Sequence, residues 1–338
     1  MDVVDLAVLR HMFPQGEARL WGSRLIVDPR ISPREIGARV GLSEVAVRNR
    51  IAKMTAEGFI QGHIVWPNPQ LFGASLRVME LPSRDLTDTD RILLALDRVD
   101  GVISARVMID EDGRHVRVSF IDDAQVKTEE RVRRIAAVAD SNACITSLPE
   151  WLPSCPPRLP RLDWRVIFAI RSAPELPLNE HARRLGLSTK TVRRRFNELL
   201  DSQSMFWSLD ANNSLLSVAA CFIWLHGPTL RETVCQEIEH RIGSWIPAAR
   251  GGIGEPPNPS APWIFALFWL RSPAESDGLA RVLLTIPGVT AVQRRFPSDG
   301  RSYPSWLDRK IGKELLLGEG TAFNAARRTM ASEWLAAR

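Results

Sequence analysis

The chain has 338 residues, with 44 Lys+Arg against 39 Asp+Glu, 45% hydrophobic and 25% charged residues. That length accommodates two to four domains. The balance suits a soluble globular protein and excludes a disordered or collagen-like one. No apolar run approaches the roughly 20 residues a membrane-spanning helix needs, and the start Met1-Asp2-Val3-Val4-Asp5 lacks a basic and apolar leader pattern. The expected compartment is therefore the cytoplasm, with no membrane partner.

The elements begin with an apolar helix at Val4–Leu9. Phe13–Arg30 contains Pro14, Gly16, Gly22 and Pro29 and is expected to be a surface loop. Ser32-Pro33-Arg34-Glu35 is a strong helix start, because Ser32 can cap, Pro33 suits the first helical position and Glu35 can close a capping box. Ile36 and Val40 share one face of that helix, and Gly41 ends it. Leu42 plugs the core and Ser43 caps a second helix. There Val47, Ile51 and Met54 recur at helical spacing and turn inward, leaving Glu44, Val45, Arg48, Asn49 and Lys53 outward. After Gly58, Phe59–Trp66 is expected to form a wing hairpin, ended by Pro67-Asn68-Pro69.

An α+β stretch follows. Ala74–Leu81 is strand-like, Thr87–Val99 helical, and Gly101–Ile109 alternates apolar and polar residues. Asp110-Glu111-Asp112-Gly113 is a hairpin turn into the alternating Val116, Val118 and Phe120. Thr128–Asp140 is helical, and Ala143–Leu148 is expected to close the sheet. The prolines at 153, 156, 157 and 160 then make Leu152–Arg161 a stiff linker.

Beyond the linker the chain repeats itself. Leu176–Ser188 matches Ile31–Ser43 at a constant offset of 145, and the match continues through Val47/Val192, Arg48/Arg193, Arg50/Arg195 and Ile51/Phe196. Asp5 corresponds to Asp163 at an offset of 158, so the first copy holds 13 extra residues between its first two helices. In the second copy Ser188 caps, Val192 and Phe196 face in, and Thr189, Lys190, Arg193, Arg194 and Asn197 face out. Met205–Leu209 is its wing strand. A short Gly-containing turn between two such helices is the helix-turn-helix arrangement, whose second helix enters the major groove. Arg and Lys suit guanine edges and phosphates, and Asn suits adenine. The candidate DNA-contacting set is therefore Ser43, Glu44, Val45, Arg48, Asn49 and Lys53 with Ser188, Thr189, Lys190, Arg193, Arg194 and Asn197. A plain helical hairpin with a solvated basic face is the alternative, and two copies each followed by a strand weigh against it.

Charge follows the repeat. Residues 1–68 carry 9 basic and 7 acidic residues and 158–212 carry 10 and 6, whereas the intervening 69–157 carry 11 and 15. The final segment, 213–338, carries 14 and 11. Basic helix-turn-helix segments suit double-stranded DNA as the partner.

The pattern Ile-Ser-x-x-Glu-Ile-x-x-x-Val-Gly-Leu-Ser-x-x-x-Val-x-x-Arg-Ile-x-x-Met-x-x-Glu-Gly-Phe-Ile resembles the Lrp/AsnC family of transcriptional regulators. It spans Val4–Trp66 well and Leu162–Leu209 less fully, since Asp201-Ser202 stand where the pattern has Glu-Gly. The resemblance implies an α+β fold class: two winged helix-turn-helix domains alternating with two ferredoxin-like βαββαβ domains. The expected units are 1–69, 70–150, a linker at 151–161, 162–212, 213–300 and a helical tail at 301–338. It also implies dimerisation and a small-molecule effector bound by the ferredoxin-like domains, and the tail could add a homodimer contact. The family's ligand loop carries Gly and Asp, and Asp110–Gly113 keeps those residue types in another order.

The second α+β stretch has strand candidates at Leu215–His226, Trp263–Arg271 and Gly288–Phe296, and helix candidates at Thr229–Ile242 and Pro273–Thr285. Gly251-Gly252-Ile253-Gly254 and the prolines after it form an extended loop rather than a phosphate cradle, because no helix opens from it. Trp224, Trp245, Trp263 and Trp269 line an effector pocket or fill the core.

Cys144, Cys155, Cys221 and Cys235 form no Cys-x-x-Cys pair and have no His cluster beside them. Four reduced thiols, no metal and no cofactor are expected. The rival to a regulator is an enzyme, because siroheme decarboxylases also resemble fused Lrp-like halves. Where those carry His-Asn-Tyr, this chain has Ser104-Ala105-Arg106 and, in the second half, Ala248-Ala249-Arg250. Trp263–Trp269 is faintly similar to their Tyr-Asn-Leu-Trp-Phe strand.

Overall fold

The computed structural model describes residues 2–12, 19–21, 24–110, 113–123, 125–140, 148–150, 152–212, 218–226, 231–242, 245–249, 263–270 and 274–315. The first helix-turn-helix unit comprises α1 (Val3–Arg10), β1 (Arg19–Trp21), β2 (Arg24–Ile26), α2 (Pro33–Val40), α3 (Glu44–Ala56) and β3 (Ile60–Pro67). The first α+β unit is β4 (Ser75–Ser83), α4 (Leu86–Ala95), β5 (Val102–Asp110), β6 (Gly113–Asp122), α5 (Thr128–Val138) and β7 (Leu148–Glu150). The second copy repeats the plan with α6 (Arg161–Ser172), α7 (Leu178–Leu185), α8 (Thr189–Asp201) and β8 (Met205–Ala211). Its α+β unit is β9 (Val218–Leu225), α9 (Arg231–Ile242), β10 (Trp245–Ala249), β11 (Trp263–Trp269), α10 (Glu275–Leu284) and β12 (Val289–Ser302), followed by α11 (Ser305–Glu314).

Two sheets tie these elements together. One has the order β10-β11-β9-β12-β5-β6-β4-β7. Each half of it orders its own strands second, third, first, fourth, which is the antiparallel ferredoxin-like arrangement, and the halves meet edge to edge at β12 and β5. β12 is long enough to serve both. Val289–Arg295 pairs with β9, and Phe296–Ser302 pairs with β5. The register shifts between Pro297 and Gly300, where proline removes a ladder donor and a bulge re-aims the strand. Helices cover one face of each half. Val116, Val118 and Phe120 pack against Ile92 and Ile135 in the first, while Cys221, Ile223 and Phe268 pack with Val234, Ile238 and Leu283 in the second.

The other sheet, β1-β2-β8-β3, is built from both copies. β3 pairs antiparallel with β8 from Ile60↔Ala211 to Pro67↔Met205, and β2 adds Leu25↔Leu209. The expected wing hairpin at Phe59–Trp66 is thus corrected to a single strand whose partner lies in the other copy. The reason is apolar content. Val65, Trp66, Phe206, Trp207 and Leu209 are all buried, and a separate hairpin of that composition would expose them at a free edge. The loop expected at Phe13–Arg30 is corrected too, since part of it forms the β1–β2 hairpin, with Leu20↔Leu25 at its centre. Residues 13–18 and 22–23 lie outside the described residues.

Other expectations shift by a few residues. Among the described residues the closing strand of the first ferredoxin-like unit is Leu148–Glu150, against Leu76–Val78 of β4, and the rest of the strand expected at Ala143–Leu148 lies outside them. Residues 141–147, with Cys144, lie outside the described residues, as do the loop at 250–262 and the tail beyond 315. The final strand runs to Ser302 rather than Phe296. β10 had no assigned strand. Cys155, Cys221 and Cys235 are in no disulfide, and burial pushes the Cys221 thiol up to about 12. Among the described residues no helix is long and apolar enough to cross a membrane.

Candidate nucleic-acid interface

Each helix-turn-helix is assembled by local chemistry that the sequence spells out. Ser32 Oγ accepts from the Glu35 amide (3.2 Å), and Glu35 Oε2 accepts from the Ser32 amide (2.7 Å), closing the box at the start of α2. These bonds hold the Glu35 carboxyl below the usual range. Gly41 ends α2 and Gly186 ends α7 in the left-handed conformation, φ 71° and 67°, where a side chain would be strained. The turn then folds back in both copies, as Leu42 N donates to Gly37 O and Leu187 N donates to Ala182 O, each at 2.9 Å. A side chain at Gly37 would meet Leu42 O at 2.4 Å. The second copy carries Ala182 at the matching place and closes its turn at the same 2.9 Å.

The second helices are capped alike. Ser43 Oγ accepts from the Ala46 amide and Ser188 Oγ from the Thr191 amide. Val47 and Met54 of α3 are buried, as are Val192, Phe196, Leu199 and Leu200 of α8. Of the predicted contact set, Ser43, Val45, Arg48, Asn49 and Lys53 are exposed on α3 and Glu44 is half-buried; Ser188, Lys190, Arg193 and Arg194 are exposed on α8, with Thr189 and Asn197 half-buried. Val45 is 65% exposed, a large apolar side chain presented where a thymine methyl could meet it.

The two faces differ electrostatically. On α3, Arg48 lies 2.6 Å from Glu44 and Lys53 sits 3.8 Å from both Asp5 and Glu57. On α8, Arg194 pairs with Glu198 at 3.1 Å, while Lys190 and Arg193 face outward. The α8 face is therefore the more cationic.

Sequence reasoning missed what fixes these helices to their supports. Asp5 on α1 is fully buried and lies 2.6 Å from Arg50 of α3. The matching Asp163 on α6 is 3.6 Å from Arg195 of α8. Arg50 also draws Asp2 down to about 2, whereas burial raises the Asp163 carboxyl despite Arg195. The signal was present, since the repeat alignment pairs Asp5 with Asp163 and Arg50 with Arg195. It was read as repetition, not as an ion pair.

The copies are locked to one another. Trp66 Nε1 donates to Ser208 Oγ (3.2 Å), which donates to Ile64 O (3.1 Å). Buried Asn68 donates to Pro153 O and Gln203 O. Arg171 on α6 donates to Val65 O of β3, lies over the Trp66 ring and pairs with Asp308 of α11 at 2.8 Å. Of the four tryptophans read as pocket or core, Trp224 is 38% exposed on β9. Trp245, Trp263 and Trp269 lie on β10 and β11. Among the described residues no group of three or more His, Cys, Asp or Glu could hold a metal.

Residues 23–55 match the AsnC-type helix-turn-helix domain, and residues 159–202 match a winged helix-turn-helix DNA-binding family. A curated but uncharacterised HTH-type transcriptional regulator of Pyrococcus horikoshii is 31% identical over 104 residues, which is 30% of this chain and 67% of that protein. Among solved structures, the siroheme decarboxylase NirDL is similar at TM-score 0.50 and 13% identity, covering 93% of this chain and 98% of its own, a likeness of the whole duplicated fold. An AsnC family transcriptional regulator from Agrobacterium tumefaciens covers 47% of this chain and 97% of its own, at 16% identity and TM-score 0.31. The chain belongs to the Lrp/AsnC family of helix-turn-helix transcriptional regulators, with the helix-turn-helix present twice.

Proposed function

We propose that the protein is a sequence-specific DNA-binding transcriptional regulator that acts as an intrachain pseudo-dimer and reads two unlike half-sites. One observation carries the reading: β3 and β8 belong to one sheet, so the recognition helices α3 and α8 are held at one spacing within a single chain. A two-fold dimer of identical helices favours a palindromic operator. Here Glu44, Val45 and Asn49 in one copy stand against Thr189, Lys190 and Arg194 in the other, which favours an asymmetric site. The wing strands are spent on pairing, so base readout falls to the two helices.

Selection of bound sequences from random double-stranded DNA, followed by gel shifts across salt concentrations, tests this. A steep salt slope with a non-palindromic consensus is expected. Recovery of perfect palindromes from chains that stay monomeric on the DNA overturns it.

A second reading, a siroheme-decarboxylase-like tetrapyrrole enzyme, is favoured by the NirDL likeness over 93% of the chain. Against it, Ser104-Ala105-Arg106 stand on β5 where such enzymes carry His-Asn-Tyr. Incubation with siroheme and mass spectrometry of the product decides. Loss of carbon dioxide from the substrate would establish the enzyme, and unchanged siroheme would remove this second reading.

A further inference from the structure

The face of β4, β5 and β6 turned away from α4 and α5 is not uniformly apolar. At one end Leu76, Ile103 and Ile121 pack under Trp66, Phe206, Trp306 and Leu307. Next comes a row of hydroxyls, Ser302 on β12, Ser104 on β5 and Ser119 on β6, aligned by the strand register. The next row is Gly300, Arg106, Arg117 and Glu80. Arg106 and Arg117 are direct cross-strand neighbours, an arrangement in which like charges repel.

The surroundings hold these cations in place. Arg117 lies 3.6 Å from Glu80, and Arg295 of β12 reaches both Glu80 and, at 3.3 Å, Asp110. Asp110 in turn meets His115 at 3.0 Å. Gly300 lets β12 lie close to the β5 backbone, since a Cβ there would fall 3.0 Å from Ala105 O, and it borders Arg106, whose Cζ that Cβ would meet at an ordinary 3.5 Å. Arg117 and Arg295 keep 14% and 15% of their side-chain surface exposed, so solvent reaches the row. Ser119 is fully buried, yet its Oγ has no hydrogen-bond partner among the described residues, and the same holds for Ser302 Oγ. Buried hydroxyls are normally satisfied.

We infer that this double row is a binding site for a small oxyanion, a carboxylate or phosphate group held between Arg106 and Arg117 and hydrogen-bonded by the Ser119 and Ser302 hydroxyls. A planar guanidinium presents paired donors that match both groups, and one shared anion offsets the repulsion between adjacent arginines. The site adjoins the wing contact through Trp66 and Phe206, and it includes β12, the strand shared by both halves. Occupancy thus bears, through Trp66 and Phe206, on the separate β3–β8 sheet that sets the spacing of α3 and α8. This supplies the effector in the proposed regulator and rests on that reading for its consequence, though not for its existence.

The test is thermal unfolding of the full chain with citrate or inorganic phosphate against sodium chloride of equal ionic strength. A rise in Tm of at least about 3 °C over the chloride control is expected at saturating anion. Arg106→Gln should cut that rise by half or more, and Arg193→Ala should leave it. If Arg106→Gln does not fold, Ser119→Ala decides in its place, with a reduced rise expected. No rise above the chloride control, an equal rise in the deciding variant, or a loss in Arg193→Ala overturns the site. The larger variant-sensitive rise names carboxylate or phosphate as the source. Gel shifts without added anion are run on the same preparations, so the site and DNA binding can fail separately.

Discussion

The two helix-turn-helix units share a plan and differ in what stabilises them. In the first, Ser32 and Glu35 close a capping box at α2; in the second, Pro177 stands at the N-cap of α7 with no side-chain bond. The first buries Ile36, and the second buries His181 at the equivalent place, 2% and 1% exposed. Neither ring nitrogen of His181 has a well-formed hydrogen-bond partner among the described residues. Burial holds its pKa below 6.5, Arg184 adds to the effect, and the backbone at Leu176 and Ala173 offsets it in part. The first unit is thus the better satisfied scaffold, while the second carries the more cationic recognition face. Duplication within one chain lets scaffold quality and charge be divided unequally between copies, which a homodimer cannot do.

The comparison can be broken by exchanging its terms. The largest expected effect is Ile36→His, which removes a buried aliphatic chain and buries an imidazole in its place. A loss of about 3 kcal/mol in chemical denaturation is expected, and a loss near zero would show that the two cores do not differ as described. Next is recognition. Arg193→Ala should weaken DNA binding by about 10-fold, within the roughly 1–3 kcal/mol of a base-reading arginine. Arg48→Ala should cost less, because Glu44 already engages Arg48. Equal losses in gel shifts would remove the asymmetry.

The pH dependence sharpens the same contrast. The folded-state pKa of His181 is depressed below the ordinary 6.5, so the unfolded chain takes up its proton first. Stability is therefore complete above pH 6.5 and falls as pH drops through 6.5 toward the folded value. His181→Ile should flatten that fall in Tm measured between pH 7.5 and 5.5. His63 on β3, also depressed by burial, leaves a smaller residual slope. Smallest is Ser32→Ala, which opens the capping box and should cost about 1 kcal/mol. Pro177→Ser, which offers α7 the cap it lacks, should go the other way or leave stability unchanged.

Much of the fold was legible because it is local. Capping serines, helix-ending glycines and the i, i+4, i+7 spacing of Val47, Ile51 and Met54 act within a few residues, and the structure places them as the pattern requires. The ferredoxin-like strands were found by alternation, as at Val116, Val118 and Phe120. The outward side chains of α3 and α8 were found by elimination once the inward ones were known. The ion pairs Asp5–Arg50 and Asp163–Arg195 were missed because their partners lie 45 and 32 positions apart in sequence, where no periodicity connects them.

The sequence by itself determined that the chain carries two helix-turn-helix units and which face of each recognition helix is free, since helix periodicity decides both. It determined too that the second copy is the more basic. Strand pairing was left to the tertiary structure. Ile60–Pro67 has the same residues whether it folds back on itself or pairs with Met205–Ala211, and only the need to bury Trp66, Phe206 and Trp207 together selects the second. The sharing of β12 between the two halves of one sheet and the facing of Arg106 by Arg117 follow from register. Register is a property of two strands at once, so neither strand's sequence holds it alone.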